Sequence, residues 1–331
     1  MKLTTAQVQR FLESLGGGTI RDVRPVGQGE WSQAYFYREV GDREAKSGDV
    51  SSCREVGDVG VWKVVRFSEI DEDFRRDQFA AGFASAGLPI PRVEAIGEAF
   101  GGYYAISKRV TGRMIDDLNA PAMRRIVPAV LDLLDSLRLA DTSKTTGFGG
   151  WDVHGNGTSA SWRGSLLDVV NDYPGGRVSG WRAKIAANPL AEEAFTRAYQ
   201  RFAADIAACP EERHVIHSDL LHFNVLVDLD PLTQRETITG VIDWGCAMYG
   251  DWLYDLAWFV FFQPWYQAMS GIDFPAELAR RSAEAGVTIP SFAERLRCCQ
   301  LHIGLGNLEY SAFRDNWTDG EAIARRLLEL V

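Results

Sequence analysis

The chain has 331 residues, of which 46% are hydrophobic and 24% charged, a composition typical of globular proteins large enough for two domains. Its formal net charge of −10 argues against nucleic acid as a partner, because proteins that hold a phosphate backbone carry a basic face. The five cysteines include no C-x-x-C pair, which argues against a zinc cluster or a disulfide framework and fits the reducing cytoplasm.

The first third of the chain is rich in predicted strands. Residues 3–15 predict a short amphipathic helix, without an apolar segment of signal-peptide length. A glycine turn, "GQGEWS", precedes a strand of period-two alternation, and "VWKVVRF" predicts a second strand. Residues 71–87 predict a helix, and two more strands follow around Gly101. Between the first two strands "REVGD" occurs twice, at 38–42 and 54–58, and two copies are too few to predict a repeat architecture.

The remainder of the chain is mostly helical in pattern. Residues 121–140 and 191–208 carry apolar side chains at helical spacing. Residues 145–180 are rich in Gly, Trp, Ser and Asn, which predicts a long irregular segment. The most apolar stretch, 254–265, is too short for a membrane span and is broken by Pro264, so we expect a buried helix and no membrane contact.

These patterns predict an α+β fold of two lobes. A small, β-rich N-terminal lobe spans residues 1–108, and a larger, mostly helical C-terminal lobe spans residues 109–331. A cleft between two lobes is a common place for a ligand, so we expect the functional residues there.

Polar residues gather around a predicted hairpin in the second lobe. The stretch "HVIHSDLLHFNVLVD", residues 214–228, ends in one strand, and "ETITGVIDWG" forms the next. Pairing of the strands places Asn224 near Asp243, with Asp219 on the loop leading in. Carboxylate and amide oxygens suit Mg²⁺, and a carboxylate not bound to metal can accept a hydroxyl proton. The pattern therefore predicts phosphoryl transfer.

A histidine-rich metal site is the alternative for the same stretch. His214, His217 and His222 lack the helical spacing that zinc sites use, so this alternative is weaker. A solvated loop without chemistry is the other alternative.

The paired motifs "HSDLLHFN" and "IDWG" resemble the catalytic loop and the metal-binding motif of the aminoglycoside phosphotransferases, relatives of the protein kinases. "FASAGLPIP", "SWRGSLLDV" and "VIDWGCAMYGD" extend the resemblance over most of the chain. It implies a bilobal, protein-kinase-like fold that uses ATP and Mg²⁺ to phosphorylate a hydroxyl group. Asp219 is then the catalytic base, Asn224 and Asp243 hold Mg²⁺, His217 is a structural member of the catalytic loop, and Asp251 braces that loop.

The resemblance also assigns residues to the nucleotide. Gly27, Gly29 and Ser32 of "GQGEWS" stand where the fold places its phosphate-covering hairpin, although the third glycine of the usual pattern is replaced by serine. An ordinary turn is the alternative. Ser107 belongs to the hinge, whose backbone groups are expected to contact adenine.

A basic residue of the second strand is expected to grip the phosphates. Lys63 and Arg66 lie three residues apart, so they face opposite sides of the strand. The family pattern favours Arg66, and Lys63 remains the alternative. Asp77 stands where the family carries the partner glutamate, with a plain surface aspartate as its alternative.

The acceptor implied by the resemblance is a cationic aminoglycoside of the hygromycin B type, bound by a monomeric enzyme. A macrolide or a metabolic hydroxyl compound is the alternative acceptor. A pocket for a hydroxyl-rich cation needs acidic groups and stacking surfaces, although tryptophans more often fill cores. The candidate residues are Trp151, Asp152, Trp162, His222, Asp251 and Trp265.

Overall fold

A five-stranded antiparallel sheet forms the N-terminal part of the protein. The structure, a computed structural model, describes residues 2–28, 31–41 and 60–331, so the second "REVGD" copy lies outside the described residues. The strands follow the order β1-β2-β3-β5-β4. Their bounds are β1 Thr19–Gln28, β2 Ser32–Val40, β3 Val61–Ser68, β4 Val93–Ala99 and β5 Gly102–Lys108.

Two helices cover the two faces of this sheet. Helix α1 (Thr5–Ser14) begins with a capping box and packs its apolar side on one face. Helix α2 (Glu72–Ala80) lies on the other face, where Phe74 is buried. Because side chains alternate along a strand, Val65 lies in the core under α1 whereas Arg66 faces α2.

The rest of the chain is built from helices around one large core. Helices α6, α7 and α10 pack against α9, and buried tryptophans fill the space between the helices and two small sheets. The helices are α3 Ala120–Leu139, α4 Trp162–Leu167, α5 Trp181–Ala187, α6 Pro189–Asp205, α7 Leu253–Phe262, α8 Phe274–Glu284, α9 Phe292–Phe313 and α10 Trp317–Glu329.

Two small sheets complete this part. One has the strand order β11-β10-β6 and the other has the order β8-β7-β12-β9. Their strands are β6 Arg113–Met114, β7 Phe148–Trp151, β8 Gly157–Ser159, β9 His214–Ile216, β10 Val225–Leu229, β11 Glu236–Val241 and β12 Met248–Gly250. The loops that follow β9 and β11 reach the same edge of the molecule.

The structure corrects one prediction and confirms another. Residues 145–180 are not irregular throughout, because β7, β8 and α4 lie within them. In the turn between β7 and β8, Gly155 adopts a positive φ angle of 77°, which a residue without a β-carbon reaches at no steric cost. The apolar stretch forms α7, which is buried and ends before Pro264, as predicted. Among the described residues, no helix combines the length and apolar character needed to cross a membrane.

Candidate active site

A buried carboxylate fixes the loop between β9 and β10, residues 217–224, from beneath. The two oxygens of Asp255 accept the backbone N–H groups of the first two loop residues, at 2.9 and 2.8 Å. Asp251, predicted to brace this loop, instead accepts two hydrogen bonds from Arg295, at 2.8 and 2.7 Å. Because Asp251 is fully buried, it also cannot contact a substrate, so both predictions for it are wrong.

His217 belongs to the scaffold of the loop. Its ring is fully buried, with Nε2 2.9 Å from the Ile242 carbonyl and Nδ1 accepting the Asp219 N–H at 3.2 Å. Burial lowers the pKa of His217, so the neutral ring holds the loop in place through its two nitrogens. This arrangement agrees with the structural part expected of His217.

The predicted β10–β11 hairpin brings three polar residues to one rim. The Asn224 carbonyl accepts the Ile242 N–H at 2.9 Å, which places Asp243 one residue beyond the paired strands. The Asn224 amide donates to Asp219 Oδ2 at 3.0 Å. Asp243 has a φ of 63°, a left-handed conformation that non-glycine residues seldom adopt and that functional sites often contain.

The charges around this rim suit a divalent cation. Burial raises the pKa of Asp243 to about 6, and the neighbouring charge of Asp77 adds to this, although the cleft leaves the residue open to water. The carboxylate of Asp243 and the amide oxygen of Asn224 are the hard donors that Mg²⁺ prefers. In the described part of the chain, no group of three His, Cys, Asp or Glu side chains could hold a metal, which leaves the histidine-rich alternative without support.

A basic wall, defined by Arg66 and Asp77, stands opposite the loop. Arg66 Nη2 lies 2.5 Å from Asp77 Oδ2, and the guanidinium lies over the Phe74 ring at 5.1 Å. Asp77 Oδ1 also accepts the Trp244 N–H at 2.8 Å, which ties the wall to the turn after β11. Asp77 is therefore a buried partner of Arg66 and not a surface aspartate.

Lys63 takes no part in this wall. It lies on the other face of β3, where its ammonium group pairs with Glu39 at 2.5 Å and with Glu94 at 2.8 Å. The alternation along the strand thus separates the two basic candidates, and the structure brings Arg66 to the cleft.

The remaining nucleotide-side predictions fall on the N-terminal sheet. Gly27 and Ser32 lie on the facing strands β1 and β2, near the closed end of their hairpin. Gly29, between them, lies outside the described residues. Ser107 lies on β5, between β3 and β4. Their contacts with a nucleotide stay predictions.

A clasp that the sequence did not indicate connects the hairpin to the helical part. The Arg177 guanidinium lies 3.9 Å from the centre of the Trp31 ring and pairs with Asp73 at 3.1 Å. Asp73 also pairs with Arg76 at 3.3 Å, and Arg76 donates to the Gly245 carbonyl at 2.8 Å. Arg177 stands in a Gly-Gly-Arg stretch whose sequence resembles an ordinary surface loop.

A cavity of about 630 Å³ opens beside the loop. We name its loop-side lining the aromatic wall, formed by His222, Phe262, Trp265 and Tyr266. Helices α9 and α10 close the opposite side. The residues on that side are Asn307, Tyr310, Ser311, Arg314, Asn316, Asp319 and Ile323.

His222 connects the cavity to Asp219. Its Nδ1 lies 2.8 Å from Asp219 Oδ1, and its ring meets the edges of Trp258 and Phe262 at centroid distances of 5.7 and 4.8 Å. Burial lowers the pKa of His222, but the hydrogen bond and the charge of Asp219 outweigh burial and raise it. His222 is thus a hydrogen-bonded neighbour of Asp219, and its contact with an acceptor stays a prediction.

The other predicted acceptor residues divide into two groups. Trp265 is 43% exposed and lines the cavity. Trp151 and Trp162 are buried in the core, at 1% and 0% exposure, so the prediction that they contact a substrate is wrong. Asp152 accepts N–H groups of its own loop at 2.8 and 2.9 Å and is not part of the cavity lining.

One acidic residue beside the loop, Asp116, was missed by the sequence analysis. Asp116 accepts hydrogen bonds from the loop backbone and from Tyr266. Glu309, on α9, has a buried Oε1 without a hydrogen-bond partner among the described residues. Burial, with the charges of Asp172 and Asp168, raises the pKa of Glu309 to about 9. Asp116 belongs to no motif, so only the fold reveals its contacts with the loop.

Comparisons with known proteins identify relatives of the chain. A family model described as the phosphotransferase enzyme family matches residues 63–295. Hygromycin-B 4-O-kinase of Escherichia coli is 30% identical over 320 residues, which cover 96% of this chain and 82% of that protein.

Solved structures agree as well. A thermostable mutant of aminoglycoside phosphotransferase APH(4)-Ia, in a ternary complex with AMP-PNP and hygromycin B, superposes with a TM-score of 0.79 at 29% identity, covering 98% of this chain and 97% of that one. Spectinomycin phosphotransferase APH(9)-Ia shares the fold, with a TM-score of 0.57 at 10% identity over 100% of both chains. The predicted bilobal, protein-kinase-like fold is confirmed.

Proposed function

Because the chain belongs to the phosphotransferase enzyme family, we propose that it transfers the γ-phosphate of ATP to a hydroxyl group of an aminoglycoside. The observation that carries the proposal is the convergence of Asp219, Asn224 and Asp243 at one rim, between the basic wall and the aromatic wall. Phosphoryl transfer needs a positioned base, a divalent ion and a basic group near the phosphates.

The reaction assigns one step to Asp219. The acceptor oxygen attacks the γ-phosphorus, the bond to the β-phosphate oxygen breaks, and ADP leaves. The hydroxyl proton passes to the Asp219 carboxylate, which Asn224 and His222 hold by hydrogen bonds of 3.0 and 2.8 Å. Mg²⁺, when held by Asn224 and Asp243, would neutralise charge on the phosphate oxygens.

The basic wall serves the nucleotide in this proposal. Arg66 contacts the α- and β-phosphates, and Asp77 fixes its guanidinium by the 2.5 Å ion pair. The hairpin around Gly27 and Ser32 covers the phosphates through backbone N–H groups, and the hinge near Ser107 contacts adenine. The APH(4)-Ia structures in complex with AMP-PNP and with ADP support nucleotide binding.

An aminoglycoside of the hygromycin B type is the proposed acceptor. The support is the 30% identity to a hygromycin-B 4-O-kinase and the APH(4)-Ia structure in complex with hygromycin B. The exposed Trp265 ring and Tyr266 offer stacking faces to sugar rings, beside Asp219. Phosphorylation of the antibiotic would confer resistance on the host.

The organisation of the molecule is part of the proposal. Residues 1–108 act as the nucleotide-binding lobe, and residues 109–331 carry the catalytic loop and the acceptor site. We propose that the enzyme acts as a cytoplasmic monomer on small molecules, since its net charge of −10 suits a cationic acceptor better than nucleic acid.

An ADP-release assay with Mg²⁺-ATP tests the proposal. Hygromycin B, other aminoglycosides, a macrolide and simple amino alcohols are offered in parallel, and mass spectrometry checks the product for an added phosphoryl group. We expect turnover with hygromycin B; turnover with a neutral acceptor alone would contradict the aminoglycoside assignment.

The Asp219→Asn variant tests the base. Its kcat is expected to fall about 1,000-fold with unchanged nucleotide affinity, because the amide cannot accept the proton. Asp228→Asn is the matched control, since Asp228 is exposed on β10 and its carboxylate accepts the N–H of the next residue. Full turnover by Asp219→Asn would contradict the base assignment.

A further inference from the structure

Asp116 is held in a fixed position relative to the catalytic loop. It lies in a short 3-10 turn, Ile115–Asp117, that directly follows β6. The side chain of Ile115 is completely buried and anchors the turn. Strand β6 pairs with β10, the strand that begins just after Asn224, so Asp116 and the loop are parts of one small sheet.

The carboxylate of Asp116 accepts hydrogen bonds from two consecutive loop residues. The His222 N–H donates to Oδ1 and the Phe223 N–H to Oδ2, both at 2.9 Å. Both residues have left-handed backbone conformations, with φ angles of 59° and 70°. Such conformations are unfavourable for residues with a β-carbon and persist where the surroundings hold them. Here the two charge-assisted hydrogen bonds that the Asp116 carboxylate accepts hold them.

The same carboxylate also contacts the aromatic wall. The Tyr266 hydroxyl donates to Asp116 Oδ1 at 2.9 Å. Burial and the charge of Asp116 raise the pKa of Tyr266, so its hydroxyl remains a donor. Tyr266 and His222 both line the cavity, and His222 is hydrogen-bonded to Asp219.

From this chain of contacts we propose that Asp116 is a positioning residue that couples the acceptor cavity to the catalytic carboxylate. The inference rests on the proposed function, because it assumes that Asp219 is the base. Through its bonds to the loop backbone, Asp116 fixes where His222 holds Asp219. Through the hydrogen bond that it accepts from Tyr266, Asp116 links the position of Asp219 to how an acceptor binds against the aromatic wall.

Two variants separate the contacts of Asp116 with the loop from its contact with Tyr266, and a third variant serves as the control. Asp116→Asn keeps the shape but sets an amide NH₂ against a backbone N–H, so at least one hydrogen bond is lost. Tyr266→Phe removes only the hydroxyl contact. Asp117→Asn makes the same chemical change one residue further, at an exposed position.

Steady-state kinetics with hygromycin B give the first readout. Asp116→Asn is expected to lower kcat about 30-fold with nucleotide KM and thermal midpoint unchanged, a split that general destabilisation does not produce. Tyr266→Phe is expected to raise the acceptor KM about five-fold with a smaller change in kcat. Asp117→Asn is expected to match the wild type. Equal kcat in Asp116→Asn and Asp117→Asn would overturn the proposal.

Amide hydrogen exchange gives a second readout that needs no substrate. In the free protein, we expect the His222 and Phe223 amides to exchange about ten-fold faster in Asp116→Asn than in Asp117→Asn. If the wild type phosphorylates no acceptor, the proposed function fails, while faster exchange still supports positioning of the loop. Unchanged exchange overturns the positioning itself. Should Asp116→Asn not fold, an acceptor KM in Tyr266→Phe equal to that of the wild type overturns the coupling.

Discussion

An ion pair holds the basic wall of the cleft, whereas aromatic packing and hydrogen bonds to the carboxylates of Asp116 and Asp219 hold the aromatic wall. Arg66 and Asp77 form an ion pair of 2.5 Å, and Asp77 is fixed further by a backbone N–H. Across the cleft, Trp265 stacks on Phe261 at a centroid distance of 5.9 Å and is 43% exposed. The two sides of one reaction are therefore built from different interactions.

This difference predicts how strongly a substitution in each wall weakens the binding of its ligand. An ion pair that grips phosphates depends on charge and geometry, so losing one partner weakens nucleotide binding strongly. Stacking on exposed rings depends on area, so a smaller apolar side chain keeps part of the contact. Substitutions should thus affect the nucleotide steeply and the acceptor gradually.

Among the substitutions that test this comparison, the largest effect is expected at Asp243, which lies between the two walls. Asp243→Asn removes the charged oxygen proposed for Mg²⁺, so kcat should fall about 100-fold or more at ordinary Mg²⁺ and recover in part when Mg²⁺ is raised. Initial rates across a Mg²⁺ titration measure this, with Asp228→Asn as the control. A wild-type Mg²⁺ dependence in Asp243→Asn would remove Asp243 from the metal site.

On the basic wall, Arg66→Met and Lys63→Met form a matched pair. The two residues share β3 and have similar exposures of 19% and 20%, but only Arg66 faces the cleft. We expect Arg66→Met to raise the nucleotide KM about 50-fold and Lys63→Met to change it less than about two-fold. Similar effects in both variants would contradict the separation of the two faces.

The sequence also predicted the residues of the basic wall better than those of the aromatic wall. Alternation along the strand predicts that Lys63 and Arg66 face opposite sides. The motif spacing, through the pairing of two strands, places Asn224 and Asp243 at one rim between the walls. The first relation lies within one strand and the second within one hairpin, and local structure converts both directly into positions.

The aromatic wall depends on contacts between distant segments. Trp151, Trp162 and Trp265 look alike in the sequence, yet two are buried and one lines the cavity. The Asp116 hydrogen bond to Tyr266 joins residues 150 positions apart. Asp251 and Asp255 lie close together in the sequence, and only the packing of α7 decides which carboxylate accepts hydrogen bonds from the loop. Residue type alone cannot distinguish these cases.

A moderate effect is expected from the exposed ring of the aromatic wall. Trp265→Leu should raise the acceptor KM about five-fold, because the loss of one stacking face is worth roughly 1 kcal/mol, while nucleotide KM stays unchanged. Phe100→Leu is the control, since Phe100 is equally 43% exposed but lies in the β4–β5 turn. A change in nucleotide KM in Trp265→Leu would contradict the division between the walls.

The smallest effect concerns stability, at Glu309 on α9. Burial and the charges of Asp172 and Asp168 raise the pKa of Glu309 to about 9, from an ordinary value of 4.5. Between these values the unfolded chain loses the proton and the folded protein keeps it, so this group lowers stability as pH rises from about 4.5 to about 9.

Glu309→Gln removes that titration while keeping the shape. We expect a gain in the free energy of unfolding of about 1–2 kcal/mol at pH 8, and little gain at pH 4.5. Denaturant unfolding at the two pH values measures the difference. Glu294→Gln, at an exposed site on the same helix, should show no such pH dependence. The basic wall offers no comparable gain, because its buried carboxylate, Asp77, already has Arg66 as its partner. An equal gain at both pH values would show that the pKa of Glu309 is not raised in the folded protein.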